Sequence, residues 1–207
     1  MTDVTQSSVK TTWQTPESFL DLVRQVNPIA YDPASSADNC TGATQWSYQT
    51  ADHTGWTTSP EGEETPDCGL SVHWDDKGGM TFCNPPYGRH LGGPVAPTKE
   101  LRKKDGTLVG VGAGWAEKMA QFQGEAIYLT PSRTDSRWWR RLASSSTWVL
   151  FWAGRLKFKG AKHPAPFPSC VFYRGDNWAR FLQVFGSYGE LMPSQAMTEE
   201  LLEAAGR

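Results

Sequence analysis

Thr81-Phe82-Cys83-Asn84-Pro85-Pro86-Tyr87-Gly88 reads as a short apolar strand that runs into a stiff concave loop. Proline fixes its own φ and pushes the residue before it out of the helical region, so Asn84 is expected to be extended and Pro85 to hold the turn rigid. The loop then offers fixed groups: the Asn84 amide, the carbonyls of Asn84 and Pro85, and the Tyr87 ring. An amide oxygen beside a backbone carbonyl accepts both hydrogens of an exocyclic amino group, while an aromatic ring stacks on a flat heterocycle. These residue types in this order suit an amino-bearing base.

Upstream, Gly78-Gly79 marks a turn into the strand formed by residues 80 to 83. Thr15-Pro16-Glu17-Ser18 reads as a helix start, with Thr15 as the cap, Pro16 in the first turn, and Phe19, Leu22, Val23 and Val26 on one face. Ile29-Ala30-Tyr31 reads as the first core strand and Asp32-Pro33-Ala34-Ser35-Ser36 as the loop at its carboxyl end, where open parallel sheets bind ligands. Asp32 has a second reading, as a residue whose side chain caps the turn that follows it. Residues 38–69 are loop-rich, and 55–67 read as a surface excursion without a periodic apolar face.

Downstream, apolar spacing predicts a helix over 115–122, a strand over 125–129, a helix over 136–142, strands over 148–151 and 169–173, a helix over 177–185, and a polar helix or tail from Thr198. Trp138 and Trp139 cannot share one helix face, so at least one of them belongs to the core. After the bend at Gly154, Arg155 and Lys157 fall on one side of an extended segment and Leu156 and Phe158 on the other. The proline-rich stretch 159–168 reads as a loop between two antiparallel strands. The alternation predicts one three-layer α/β domain over 13–193, with a mostly parallel sheet and an antiparallel edge. It carries loop insertions near 38–69 and 88–112, follows a loose tail over 1–12, and leaves 194–207 as a C-terminal helix or tail.

The 207 residues fit one large domain, and 10 Trp and 9 Phe supply the mass of a core. A formal net charge of -2 gives no overall basic field, so contact with nucleic acid has to come from a local patch. The run from Gly88 to Gly112 holds Arg89, Lys99, Arg102, Lys103 and Lys104. It reads either as a lid or phosphate-backbone contact, or as a solvated hairpin. Arg133, Arg137, Arg140 and Arg141 surround Trp138 and Trp139, a mixture that pairs phosphates and stacks bases. The four cysteines, at 40, 68, 83 and 170, have neither disulfide nor metal spacing and read as reduced thiols of a cytosolic protein. His53 and His73 have no partners at ligand spacing, so no metal is expected. No apolar run reaches 18 residues, so no membrane span is expected either.

Asn84-Pro85-Pro86-Tyr87 resembles the catalytic motif of amino-group DNA methyltransferases. Trp13-Gln14-Thr15-Pro16, Tyr31-Asp32-Pro33-Ala34, Leu129-Thr130-Pro131-Ser132-Arg133-Thr134-Asp135, Gly154-Arg155-Leu156-Lys157-Phe158 and Phe167-Pro168-Ser169 extend the likeness. In that order they resemble the small phage and prophage DNA N-6-adenine-methyltransferase family. The resemblance implies a Rossmann-like methyltransferase fold, S-adenosyl-L-methionine as cofactor, and methyl transfer to adenine N6 in DNA with the base flipped from the duplex. It also implies a phage-encoded or bacterial cytoplasmic protein.

It assigns catalysis to Asn84, Pro85, Pro86 and Tyr87, and cofactor contacts to Trp13, Thr15, Pro16, Asp32, Pro33, Ala34 and Asn84. Tyr87, Arg89, Lys103, Arg133, Arg137, Arg155 and Lys157 are the residues expected on DNA. Asp52 and Asp67 are both candidates for the cofactor's ribose or adenine. The chain departs from such methyltransferases in having no glycine between Asp32 and Asn39, where a glycine-rich turn is usual. Cytosine N4 as acceptor, and a nucleic-acid-binding accessory protein that keeps the fold without turnover, are the alternatives.

Overall fold

The computed structural model describes residues 13–35, 39–48, 56–58, 64–66, 69–70, 74, 77–87 and 114–205. Among the described residues nine strands and five α-helices are formed, the strands being β1 (Ile29–Ser35), β2 (Gln45–Tyr48), β3 (Trp56–Thr58), β4 (Glu64–Pro66), β5 (Met80–Cys83), β6 (Ala126–Pro131), β7 (Trp148–Trp152), β8 (Ser169–Arg174) and β9 (Gly189–Pro193). The helices are α1 (Glu17–Val26), α2 (Trp115–Gln121), α3 (Arg137–Ser145), α4 (Trp178–Phe185) and α5 (Gln195–Ala205). Seven strands make one sheet in the order β2-β1-β5-β6-β8-β7-β9. β2, β1, β5 and β6 run parallel, whereas β8 pairs antiparallel with both β6 and β7, and β9 antiparallel with β7. The domain is therefore α/β with a mostly parallel, mixed sheet in which β8, inside it, and the edge strand β9 run reversed, an arrangement compatible with a Rossmann-like fold.

Both faces of the central strands are covered, which is why β5 and β6 read as unbroken apolar runs rather than alternating ones. Met80, Phe82, Ile127, Leu129, Val171 and Tyr173 pack toward Phe19, Leu20 and Val23 of α1 and Phe181 and Phe185 of α4. Cys83, Ala126, Tyr128, Cys170 and Phe172 pack toward Trp115 and Met119 of α2 and Trp139 and Leu142 of α3. No helix among the described residues is long and apolar enough to cross a membrane.

Several elements differ from their sequence reading. Thr15 does not cap α1: the N-cap is Pro16 and makes no side-chain capping bond. β1 continues through Asp32 and Pro33 to Ser35, so these residues lie in a strand and not in a loop. Its register with β2 shifts between Asp32 and Ser35, and this irregularity accommodates a proline that has no N–H to give a regular ladder. Gly69 packs against this stretch so closely that a Cβ there would stand 1.9 Å from the Pro33 carbonyl oxygen. Four strands were not foreseen, two of them at the edges of the main sheet, β2 on one side and β9 on the other. Within the expected surface excursion, β3 and β4 pair with each other in a separate two-stranded sheet.

Other readings agree with the structure. Gly78 and Gly79 both take positive φ before β5, and Gly154 does so at its bend. Ser136 caps α3 by accepting from the Trp139 amide, and Trp139 is buried while Trp138 is only partly so. Leu156 and Phe158 are buried and Arg155 and Lys157 exposed, as their alternation requires.

The two tryptophans give a direct test of the packing. Trp139→Ala should lower the unfolding free energy by about 3–5 kcal/mol, the usual cost of emptying a buried aromatic site. Trp138→Ala should cost at least about 2 kcal/mol less in the same denaturant titration.

Candidate functional site

The parallel strands β1, β5 and β6 end on the same side of the sheet, and β8 begins there because Pro131 pairs with Ser169. Consequently the segments Asp32–Ser35, Asn84–Tyr87, Ser132–Asp135, Gly154–Phe158 and Phe167–Ser169, dispersed over more than half of the chain, gather at one end. The chain crosses from β1 outward to β2 and then back to β5 on the other side of β1, which makes the β1/β5 crevice the switch point of the sheet. Ligands of open α/β sheets bind at such a point, outside the carboxyl ends of the strands.

Asn84 is at the centre of this end. Its Nδ2 donates to the Trp13 carbonyl at 2.6 Å and to the Thr15 Oγ1 at 3.0 Å, while its Oδ1 accepts from the Tyr87 hydroxyl at 2.5 Å. A carbonyl oxygen only accepts, so the nitrogen of the amide must face Trp13 and the oxygen must face Tyr87. The same hydroxyl lies 3.3 Å from the Leu129 carbonyl. Pro85 and Pro86 are buried, and among the described residues no hydrogen bond reaches the Pro85 carbonyl.

Tyr87 is enclosed edge-on by Phe167, with centroids 5.4 Å apart and planes at 85°, and by Phe158 at 6.1 Å and 73°. Trp13 packs on the same two rings, at 5.2 Å from Phe158 and 5.6 Å from Phe167. The 154–168 connection is fastened to the Trp13–Pro16 segment by the Lys159 amide, which donates to the Gln14 carbonyl at 2.9 Å. Burial pushes the Tyr87 phenol well above its ordinary value, and burial with the nearby Asp32 charge does the same to the Cys83 thiol. Neither group is a ready nucleophile, and what the site offers is hydrogen bonds and ring contacts.

Asp32 lies at the other side of the crevice and is only 3% exposed. Its Oδ1 accepts from the Ala34 amide at 3.0 Å and its Oδ2 from the Thr41 hydroxyl at 2.9 Å. The bond from Ala34, two residues on, is local, whereas the bond from Thr41 ties β1 to the segment before β2. Burial raises its carboxyl to about 6, against the lowering effect of bonds from Ala34, Thr41 and Ser35. Pro33 is buried beside it and Ala34 half-buried.

The cationic candidates are less tightly gathered. Arg133, Arg155 and Lys157 are exposed on the loops that leave this end of the sheet, and Arg137 is exposed in the first turn of α3. Arg141 instead pairs with Glu117 of α2 at 2.5 Å. Arg89, Lys103 and the rest of 88–112, like Asp52, Asp67, His53, His73 and the 1–12 tail, lie outside the described residues. Among the described residues no group of three or more His, Cys, Asp or Glu side chains is placed to hold a metal ion. Sequence reasoning missed the enclosure of Tyr87 by Phe158 and Phe167, and the bond from Thr41 to Asp32. The alternation of Leu156 and Phe158 was a signal for the first, since it turned Phe158 inward.

Comparison with protein-family models, curated proteins and solved structures gives no match to this chain.

The raised Asp32 carboxyl makes a pH-dependent contribution to stability. Between about pH 4 and pH 6 the unfolded carboxyl is ionised while the folded one keeps its proton, so stability falls with rising pH, by on the order of 3 kcal/mol in all, and is flat above. Relative to Asp32→Asn, the parent should lose that amount between pH 4 and pH 7 in denaturant titrations; parallel pH curves for the two proteins would contradict the assignment.

Proposed function

We propose that this chain is a DNA methyltransferase that uses S-adenosylmethionine to methylate an exocyclic amino group, adenine N6 by resemblance. The observation that carries the reading is the fixed orientation of the Asn84 amide at the carboxyl end of β5, its oxygen turned toward Tyr87. A base amino group has two N–H donors, and Asn84 Oδ1 and the Pro85 carbonyl are the acceptors for them. Holding both draws the nitrogen into one position and directs its lone pair away from the acceptors, a gain from orientation. No covalent intermediate on the protein is needed, in keeping with the raised Cys83 thiol.

Bound S-adenosylmethionine supplies an activated methyl group on sulfur. The residues that fit it are those along the β1/β5 crevice: the half-buried Trp13 and Pro16 beside Asn84, and Ala34 at the end of β1. Asp32 contributes indirectly in this conformation, because both of its oxygens are already bonded within the protein and shape the end of β1. On this reading the Tyr87 hydroxyl, which holds one of the two acceptor sites of Asn84 Oδ1, swings aside as the flipped base enters, and its ring supplies the stacking that base extrusion requires.

A second reading, a nucleic-acid-binding protein of this fold without turnover, is favoured by the bonds that already engage both N–H groups and the oxygen of Asn84, and by the enclosed Asp32. Transfer of labelled methyl from S-adenosylmethionine to unmethylated duplex DNA, followed by nucleoside analysis, separates the two. N6-methyladenine made by the parent and reduced by about 100-fold or more in Asn84→Ala is the expected outcome. N4-methylcytosine would move the acceptor to cytosine. Absence of both transfer and cofactor binding would favour the non-catalytic protein.

DNA contact on this reading is local, through Arg133, Arg137, Arg155 and Lys157. Converting Arg155 and Lys157 to Glu should weaken duplex binding and make the log–log dependence of affinity on salt shallower by about 2, one counterion per lost phosphate contact. An unchanged slope would remove these two residues from the interface.

A further inference from the structure

The Thr15 hydroxyl has no role in the helix it precedes. α1 begins at Glu17, is capped by Pro16, and shows no side-chain capping bond. The residue is nonetheless buried, with 2% of its surface exposed, and its Oγ1 accepts the second N–H of Asn84 at 3.0 Å across 69 residues of chain.

The two bonds on the Asn84 nitrogen do different things. The Trp13 carbonyl decides which end of the amide is nitrogen, since a flipped amide would set two acceptor oxygens against each other at 2.6 Å. Once the Tyr87 hydroxyl has swung off Oδ1 to admit the base, one bond alone would leave the amide free to pivot about it. The second acceptor, Thr15 Oγ1, removes that pivot and sets the plane of the amide, and with it the direction of the Oδ1 lone pairs. We infer that Thr15 is a positioning residue that fixes the amide plane of Asn84 for the reacting amino group. The inference rests on the reading of Asn84 as the acceptor in methyl transfer, and assigns Thr15 a task distinct from contact with the cofactor.

Thr15→Val keeps the shape and removes the hydroxyl; Thr15→Ser keeps the hydroxyl. In the full chain, labelled with 15N and with the Asn84 side-chain signals identified by their loss in Asn84→Ala, the Asn84 amide protons should exchange slowly in the parent and in Thr15→Ser. At least one of them should exchange about 10-fold faster or more in Thr15→Val, because its acceptor is gone. In the methyl-transfer assay, Thr15→Val should lower kcat by about 10- to 100-fold with KM for S-adenosylmethionine changed by less than about 3-fold, and Thr15→Ser should recover most of kcat.

Rapid exchange of both Asn84 amide protons in the parent overturns the inference without any variant. A Thr15→Val enzyme with normal kcat and a raised cofactor KM also overturns it, and makes Thr15 a cofactor contact. If the parent transfers no methyl group, the proposed reaction fails, while the exchange measurement still decides whether Thr15 fixes Asn84.

Discussion

Burial of the central strands on both faces is the constraint from which the site follows. β5 and β6 have helices above and below, so their backbone donors and acceptors are consumed by neighbouring strands and their side chains by two apolar layers. Polar chemistry is therefore confined to the strand ends. At the carboxyl end of β5 the chain stops pairing where Pro85 and Pro86 deny further N–H donors. An amide placed there still needs partners, and it finds them in Trp13, Thr15 and Tyr87.

The long reach of those bonds gives the site a dependence on remote packing. The Trp13–Pro16 segment is held by the rings of Phe158 and Phe167 and by the Lys159 amide, all from the connection between β7 and β8. The antiparallel half of the sheet thus braces a site that belongs to the parallel half. At the opposite end of the sheet a different brace operates: Glu125 accepts from Asn27 at 2.7 Å and from the Tyr173 hydroxyl at 2.8 Å, tying the end of α1 and the end of β8 to the start of β6.

What could be read from the sequence was what local physics decides. The strands at 80–83, 125–129 and 169–173 are dense in apolar residues, and the helices at 115–122 and 177–185 repeat theirs at helical spacing. β2 and β9 escaped because edge strands need only one good face: Gln45-Trp46-Ser47-Tyr48 and Gly189-Glu190-Leu191-Met192-Pro193 mix polar, apolar and turn-forming residues. Thr15 before a proline carries the local signature of a cap, yet a partner far along the chain takes its hydroxyl. Asp32-Pro33-Ala34-Ser35 read as a loop, yet β1 runs through Ser35 with its register against β2 slipped across the proline. At the site, the Asn-Pro-Pro-Tyr stretch announced a rigid presentation of polar groups. That Tyr87 turns its hydroxyl back onto Asn84 depends on Phe158 and Phe167, which local sequence around residue 84 does not contain.

On the proposed reading, the bond between Tyr87 and Asn84 makes the resting protein a competitor of the incoming base amino group. Asn84 Oδ1 has two acceptor sites and the Tyr87 hydroxyl takes one, so a donor that needs that site binds with the intrinsic affinity diminished by the fraction of molecules in which the hydroxyl has swung away. A group with one N–H would exchange one bond for another and gain little. A group with two N–H donors, able to engage the Pro85 carbonyl as well, replaces one bond by two. On that reading the partly occupied acceptor becomes a filter on donor number, favouring primary amines over ring imides before shape is considered.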